Sequence, residues 1–389
     1  MLAAGCVSAQ TLDLTPEQQQ MAATGNECSF RFLQEIDRNE DGDWFVSPAS
    51  LQFLLSVVLN GAQYATADEI AHTLSFEASQ LDALNVYSRK MLETLPKLDP
   101  ATKLVIGNAV FVNQLYPLNK KYKSQVEKYY HAEVRNLDFN DAEGSAGTIN
   151  GWCNKQTNGL IPKILDKVEP TMFAYLLNAL YFKGSWMYKF SKDLTEERPF
   201  YLESGEETRV RMMEKERKYA YGENELFQRI CLPYGNGAYA MYVLLPKKGH
   251  TVAEVVASLD GASWNELRRH MYDGTKVNLW LPRFETKYHI KLNDILSDMG
   301  MPGSFKPGAN FNTMSVNAGF LDFVQQDAII KVDEEGSEAA AVTSAGMALA
   351  TAVPDPPKVI NFHCDHPFLY LITERSTGSV LFAGKYTGK

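Results

Sequence analysis

The sequence predicts an α+β fold built as one domain. Three observations carry this: capped helical patterns crowd the first quarter of the chain, strand patterns dominate from about residue 103 onward, and no linker, composition shift or internal repeat interrupts the 389 residues. A prior of roughly 150 residues per domain would give two or three domains. The unbroken succession of strands argues for one. Lys+Arg 38 against Asp+Glu 47 gives a net charge of −9, which favours neither nucleic acid nor an anionic membrane surface as partner. With 45% hydrophobic and 22% charged residues, disordered and fibrous classes are excluded. No apolar run approaches the ~20 residues that cross a bilayer.

At the N-terminus, Leu2-Ala3-Ala4-Gly5-Cys6 resembles a bacterial lipoprotein processing site, at which Cys6 takes the lipid; Val7-Ser8-Ala9 before Gln10 also fits a signal-peptidase site. Residues 1–12 are expected to be an export-signal remnant or a flexible tail, with the folded domain over 13–389. The expected location is extracellular or at the cell surface, with membrane contact only through a lipid at Cys6. The five cysteines, Cys6, Cys28, Cys153, Cys231 and Cys364, are scattered with no CxxC pair, so neither a disulfide scaffold nor a structural zinc site is expected. His363-Cys364-Asp365-His366 matches no zinc spacing and reads as structural.

Along the chain, Thr15-Pro16-Glu17 opens a helix running to Ile36, with Pro in its first turn. Ser47-Pro48 repeats the signal before the apolar helix 51–59, which Asn60-Gly61 stops. Thr66 reads as the cap of a shorter helix over 67–74. The continuous apolar runs 103–112 and 171–182 predict strands covered on both faces. Between them, 143–158 reads as a polar-faced helix ending at Gly159. Strands are expected at 207–213, 227–233, 238–245 and 276–282, with one helix over 252–270.

The catalytic inventory is poor. The sequence has no HExxH, GxSxG, P-loop or GxGxxG. None of the seven histidines lies beside a Ser or Cys with nucleophile-type surroundings. Asp322, Asp327, Asp333, Glu334 and Glu335 form an acidic series that reads as a solvated strand edge or the approach to a loop. No metal or cofactor is expected.

One stretch departs from packing rules. Residues 320–332 read as a long strand, then about 20 residues without a packing pattern lead to Pro354-Asp355-Pro356-Pro357, which calls for a function or disorder. From Ser337 to Val353 the only charge is Glu338, and the rest is mostly Ala, Val, Thr and Ser, which a solvated linker would not be. Taken as a strand, Ser337, Ala339, Ala341, Thr343, Ala345 and Met347 share one face of small or apolar groups, and Glu338 falls on the other. The segment is therefore suited to exposure in one state and burial in another.

That run, Lys331-Val-Asp-Glu-Glu-Gly-Ser-Glu-Ala-Ala-Ala341, followed by His366-Pro367-Phe368 and Gly378-Ser-Val-Leu-Phe-Ala-Gly-Lys385, resembles the serpin family. So do Val46-Ser47-Pro48-Ala49-Ser50-Leu51, Asn60-Gly61-Ala62 with Thr66, and Asn178-Ala-Leu-Tyr-Phe-Lys183-Gly184-Ser-Trp186. The resemblance runs from the first helix to the C-terminus. It implies a large central sheet, further sheets, about eight or nine helices and an exposed reactive-centre loop over about 335–354. Serpins are suicide inhibitors: a protease cleaves the loop and is acylated, and the freed arm inserts as a new sheet strand before the acyl bond hydrolyses.

The resemblance also assigns residues. The hinge falls on Glu334, Gly336, Ser337, Ala339, Ala340, Ala341 and Val342; the small side chains of Gly336, Ser337, Ala339, Ala340, Ala341 and Val342 favour an inhibitory member, and Thr343 is a tolerated polar exception. A latch beneath the sheet falls on Ser47, Ser50 and Asn178, with Gln326 where the family usually has histidine, so a latch without a pH response is expected. Trp186 matches the tryptophan at the top of the sheet, and Glu334 is expected beside Arg283. Loop length places the reactive bond at Ala350-Thr351, with Leu349 and Met347 as alternative sites. No Lys or Arg occurs between Lys331 and Lys358, so trypsin-like proteases have no bond to attack. Elastase-like enzymes fit Ala350, and chymotrypsin- or subtilisin-like enzymes fit Leu349 or Met347. The expected protein is a monomeric, exported, bacterial-type inhibitor of serine proteases, with papain-like cysteine proteases as further partners; the alternative is a non-inhibitory serpin acting as a binding or chaperone protein.

Overall fold

The computed structural model describes residues 11–337 and 359–389. The first helix, α1 (Pro16–Asn39), starts as expected: the Thr15 hydroxyl accepts from the Gln18 amide and the Gln18 side chain answers in a capping box, with Pro16 at N1. After β1 (Trp44–Val46), α2 (Pro48–Leu59) is capped by the Ser47 side chain and is buried almost all round, as its apolar composition requires. The next helix, α3 (Tyr64–Thr73), departs from expectation. Gln63 is its N-cap, while the Thr66 hydroxyl accepts from the Asn310 amide at 2.9 Å, so a tertiary contact has taken the oxygen that would have capped. Helix α4 (Leu81–Thr94) follows.

The chain then alternates as β2 (Thr102–Asn113), α5 (Lys120–Tyr130), β3 (Glu133–Leu137), α6 (Ala142–Gln156) and β4 (Ala174–Ser185). Next come β5 (Glu196–Tyr201), β6 (Glu207–Glu223), β7 (Phe227–Tyr234) and β8 (Tyr239–Pro246). The helix expected over 252–270 is two, α7 (Val252–Ala257) and α8 (Gly261–Arg269), because Asp260 starts a new capping box with Ser263. The remaining elements are β9 (Tyr272–Pro282), β10 (Phe284–Lys291), α9 (Asn293–Asp298), β11 (Phe323–Val332), β12 (Gly336–Ser337), β13 (Ile360–His363), β14 (Phe368–Glu374) and β15 (Val380–Tyr386). Strand β6 runs ten residues beyond the predicted 207–213, since its later part pairs with β7 and β9.

Two sheets organise these elements. One has nine strands in the order β1-β15-β14-β8-β7-β6-β9-β13, with β5 on β6; the other has six, β10-β11-β12-β4-β2-β3. The main core fills the space between them and the buried faces of α1, α2, α3 and α4, and it reaches Leu12 and Leu14. Residue 12, expected in the tail, is thus part of the packed body. A smaller cluster of Ala109, Phe111, Phe139, Ile149, Val168, Tyr175 and Leu177 lies between the outer face of the six-stranded sheet and α6. That sheet is therefore covered on both faces in its lower half, which explains the unbroken apolar runs of β2 and β4.

Candidate functional site

The site is the seam between β11 and β4. These strands run parallel and pair directly only in their lower half, from Phe323↔Tyr175 to Asp327↔Ala179. At the top they part, and β12 occupies the space: Ser337 lies opposite Val332 on one side and Gly184 on the other. Between these regions, no ladder pair among the described residues joins 180–183 to 328–331. A cavity of about 170 Å³ lies there, lined by Tyr181, Phe182, Ile329 and Lys331 and roofed by Leu160. The six-stranded sheet is zipped at one end and wedged at the other.

The zipped end holds the predicted latch. Gln326 and Asn178 face each other in register, and Gln326 Nε2 donates to Asn178 Oδ1 at 3.0 Å. The same Gln326 amide brackets the start of α2, accepting from Ser47 N at 2.7 Å and donating to Ser47 O at 3.1 Å. Asn178 Nδ2 donates to Ser50 Oγ at 2.5 Å and to Asn108 Oδ1 at 2.7 Å. The Ser47 hydroxyl donates to the Leu381 carbonyl at 2.6 Å. All of these side chains are buried, and the network ties both seam strands to α2 and to the second sheet, with Asn108 Nδ2 as its one atom left without a partner. Asn108 was missed in the sequence, though a polar amide inside the apolar run 103–112 was the signal.

The wedged end holds the described members of the expected hinge, Glu334, Gly336 and Ser337. Asp333 to Gly336 form a tight turn in which Asp333 Oδ1 accepts from the Glu335 amide at 2.9 Å, and the Asp333 amide donates to Gly336 O at 2.9 Å. Gly336 has φ +151°, and a Cβ there would collide with the Gly184 carbonyl oxygen and sit 2.6 Å from Ser185 Cα, so only glycine fits. Trp186 donates from its indole to Asp333 O at 2.8 Å and stacks on Tyr234 with ring centroids 4.5 Å apart. The Tyr234 and Ser337 hydroxyls are bonded at 2.7 Å in a fully buried setting. Tyr234 was also missed, because the predicted strand stopped at Pro233.

The acidic series is not solvated as expected. Asp327, Asp333 and Glu334 are buried, and each carboxylate has partners that offset the burial. Glu334 takes Thr195 Oγ1 at 2.8 Å and the predicted Arg283 guanidinium at 3.6 Å. Glu335 meets Lys189 Nζ at 2.6 Å, Asp322 accepts from the Phe173 amide at 2.7 Å, and Asp327 meets His289 Nδ1 at 2.7 Å. The series fastens the hinge and the seam strand to their surroundings.

The four described cysteines are buried and unpaired in disulfides. Burial pushes the Cys28 and Cys153 thiols up to about 12, away from nucleophilic chemistry. In the 363–366 run, His363 stacks on Trp280 at 3.7 Å and His366 Nε2 meets Pro246 O at 2.9 Å. Ala339, Ala340, Ala341, Val342, Met347, Leu349, Ala350, Thr351 and Cys6 lie outside the described residues.

A sheet with a parted seam, a buried polar network beneath it and a short strand, Gly336–Ser337, lodged in the gap defines a class. Residues 23–388 match the family model described as Serpin (serine protease inhibitor). An uncharacterized serpin-like protein of Methanosarcina mazei is 31% identical over 371 residues, covering 94% of this chain and 86% of that one. Human serpin B13 is 30% identical over 94% of this chain and 99% of its own. The native structure of the thermophilic serpin Tengpin superposes with a TM-score of 0.86 at 27% identity, covering 98% of this chain and 96% of that one. The chain belongs to the serpin family, whose members are classed as protease inhibitors rather than proteases.

Proposed function

We propose that this serpin is a suicide-substrate inhibitor of serine endopeptidases with elastase-like, subtilisin-like or chymotrypsin-like specificity, able to act also on papain-like cysteine proteases, and that it works as an exported monomer. One observation carries the reading: the first two residues of the loop already sit as a strand between β4 and β11, above a seam whose unpaired inner edges can accept more of the arm. Strand addition satisfies those edges with main-chain hydrogen bonds, a binding mode for which serpin loop insertion is itself a named example. Downstream, Ala339, Ala340, Ala341 and Val342 are small enough to follow. Insertion after cleavage is the driving step, and it must outrun hydrolysis of the acyl bond.

Ala350 with Leu349 and Met347 as alternatives supports small or medium apolar specificity. Export rests on the pattern ending at Cys6. Mixing the protein with an elastase tests the reading: a covalent complex that survives boiling in detergent is expected. Quantitative cleavage with fully active elastase and no complex would leave a non-inhibitory binding protein instead.

A further inference from the structure

We propose that the cleft between the segment after α6 and the paired strands β10 and β11 binds a flat aromatic monocarboxylate, whose carboxylate is held by Lys163, Lys287 and His289. The cleft is a cavity of about 230 Å³. It adjoins the seam cavity, with which it shares Leu160, Lys287 and Ile329, and the proposal stands apart from the inhibitory reading. Leu160, Ile161 and Pro162 form an apolar wall, and Ala328 and Ile329 an apolar floor. A ligand laid between them removes apolar area from water. The wall is preformed. Asn150 of α6 accepts from the Ile164 and Leu165 amides at 2.8 and 3.0 Å and donates to the Leu165 carbonyl at 2.7 Å. Thr157 Oγ1 accepts from the Ile161 amide at 3.0 Å. A wall already fixed in this way costs little ordering entropy on binding.

The charged groups around the cleft favour an anion. Lys287 and His289 are alternate residues of β10, so they share a face with Ile329 and Asp327, their partners on β11. Lys163 and Lys287 are engaged by exposed ion pairs alone, to Asp166 at 2.5 Å and Glu285 at 3.1 Å, which cost little to exchange for a ligand carboxylate. Among the described residues Asp327 is the one carboxylate lining the cavity. Both its oxygens are taken, Oδ1 by His289 Nδ1 at 2.7 Å and Oδ2 by Gln325 Nε2 at 2.5 Å. The Asp327 bond also raises the His289 pKa above its ordinary value. Protonated, the ring keeps Nδ1 on Asp327 and offers its Nε2–H to a ligand. Two further groups lie close. The Lys291 ammonium sits over the Phe323 ring, and the buried Cys153 thiol of α6, which feels the Asp327 charge, stays protonated. The lining is thus cationic on a protein whose net charge is −9.

Calorimetric titration of 2-naphthoate into the full-length protein at about pH 6 and about pH 8 tests this. Saturable one-to-one binding is expected, with a Kd below about 1 mM. It should be about threefold to fivefold tighter at the lower pH, because the ligand is ionised at both values while His289 gains its charge as pH falls. The uncharged 2-naphthamide should bind at least about tenfold more weakly, and inorganic phosphate should not displace 2-naphthoate. Lys287 and His289 are both exposed, so their variants should fold. Lys287→Glu should weaken binding about fivefold at both pH values. His289→Gln should keep the affinity found at the higher pH and lose the pH dependence. Lys331→Gln, at the seam cavity, should leave binding unchanged. No saturable binding, equal affinity for the amide, or displacement by phosphate overturns the ligand class. Unaltered binding by Lys287→Glu, a pH dependence that survives His289→Gln, or loss of binding in Lys331→Gln overturns the placement.

Discussion

Gln326 Nε2 donates to Asn178 Oδ1 at 3.0 Å across the seam between two parallel strands, and the same amide holds both backbone groups of Ser47. The two strands are thus joined by their backbone ladder from Phe323 to Asp327 and by this one side-chain contact, and each is anchored separately to α2. Gln326→Ala leaves Asn178 and the Ser47 backbone short of partners in a dry site. We expect a loss of about 2–4 kcal/mol, from ~1–3 kcal/mol per unsatisfied buried group. Urea unfolding should give a lower midpoint at unchanged slope.

Gly336 is confined by the Gly184 carbonyl and Ser185 Cα. Gly336→Ala should force β12 out of the seam, because neither the positive φ nor the approach of β4 tolerates a methyl group. The hinge should then be cut readily by a nonspecific protease, and the variant should be hydrolysed as a substrate. Tyr234→Phe should produce a milder form of the same phenotype, at ~1 kcal/mol for one hydrogen bond, with no further effect of Ser337→Ala in its background.

Gln326 brings no titrating group to the latch, but Asp327 next to it bonds His289, and that bond raises the His289 pKa above its ordinary value of 6.5 despite partial burial. Gln325 bonds both partners, while Lys163 and Lys287 line a second pocket together with His289 and Asp327. A raised folded-state pKa stabilises fully below about 6.5, and the contribution is lost as pH rises through the folded value. Melting temperature should therefore fall across that window in the parent. The fall should be smaller in Asp327→Asn; identical pH profiles would remove His289 as its source. His289 is largely exposed, so the effect should be modest.

With no Lys or Arg between Lys331 and Lys358, trypsin should neither be trapped nor cleave the loop. Ala350→Arg should create a trypsin inhibitor while weakening elastase trapping, since an acidic specificity pocket needs a cation to pair its buried carboxylate. If trypsin ignores this variant, the reactive bond lies elsewhere, and the same substitution at Leu349 or Met347 locates it.

Much of this was legible in the chain. The helix starts at Thr15 and Ser47 are local chemistry, in which a hydroxyl three residues before an amide caps whatever follows. The latch residues Ser47, Ser50, Asn178 and Gln326 came from family resemblance, and the fold brings all four together. What local pattern missed depends on tertiary partners. The Thr66 hydroxyl bonds Asn310, 244 residues away. Asp333 and Glu334 look like solvent-facing acids until Trp186, Thr195 and Arg283 are placed around them. Tyr234 sits at a hairpin turn, where sequence gives no hint that its hydroxyl meets the hinge.

In the proposed mechanism the seam takes in the loop once the loop is cut. Thermal melting of the protein before and after a single cleavage in the loop tests this most directly. The cleaved protein, with both fragments still associated, is expected to melt far above the intact one, because the arm would add a strand to the six-stranded sheet. A cleaved protein that melts at or below the intact temperature would contradict it.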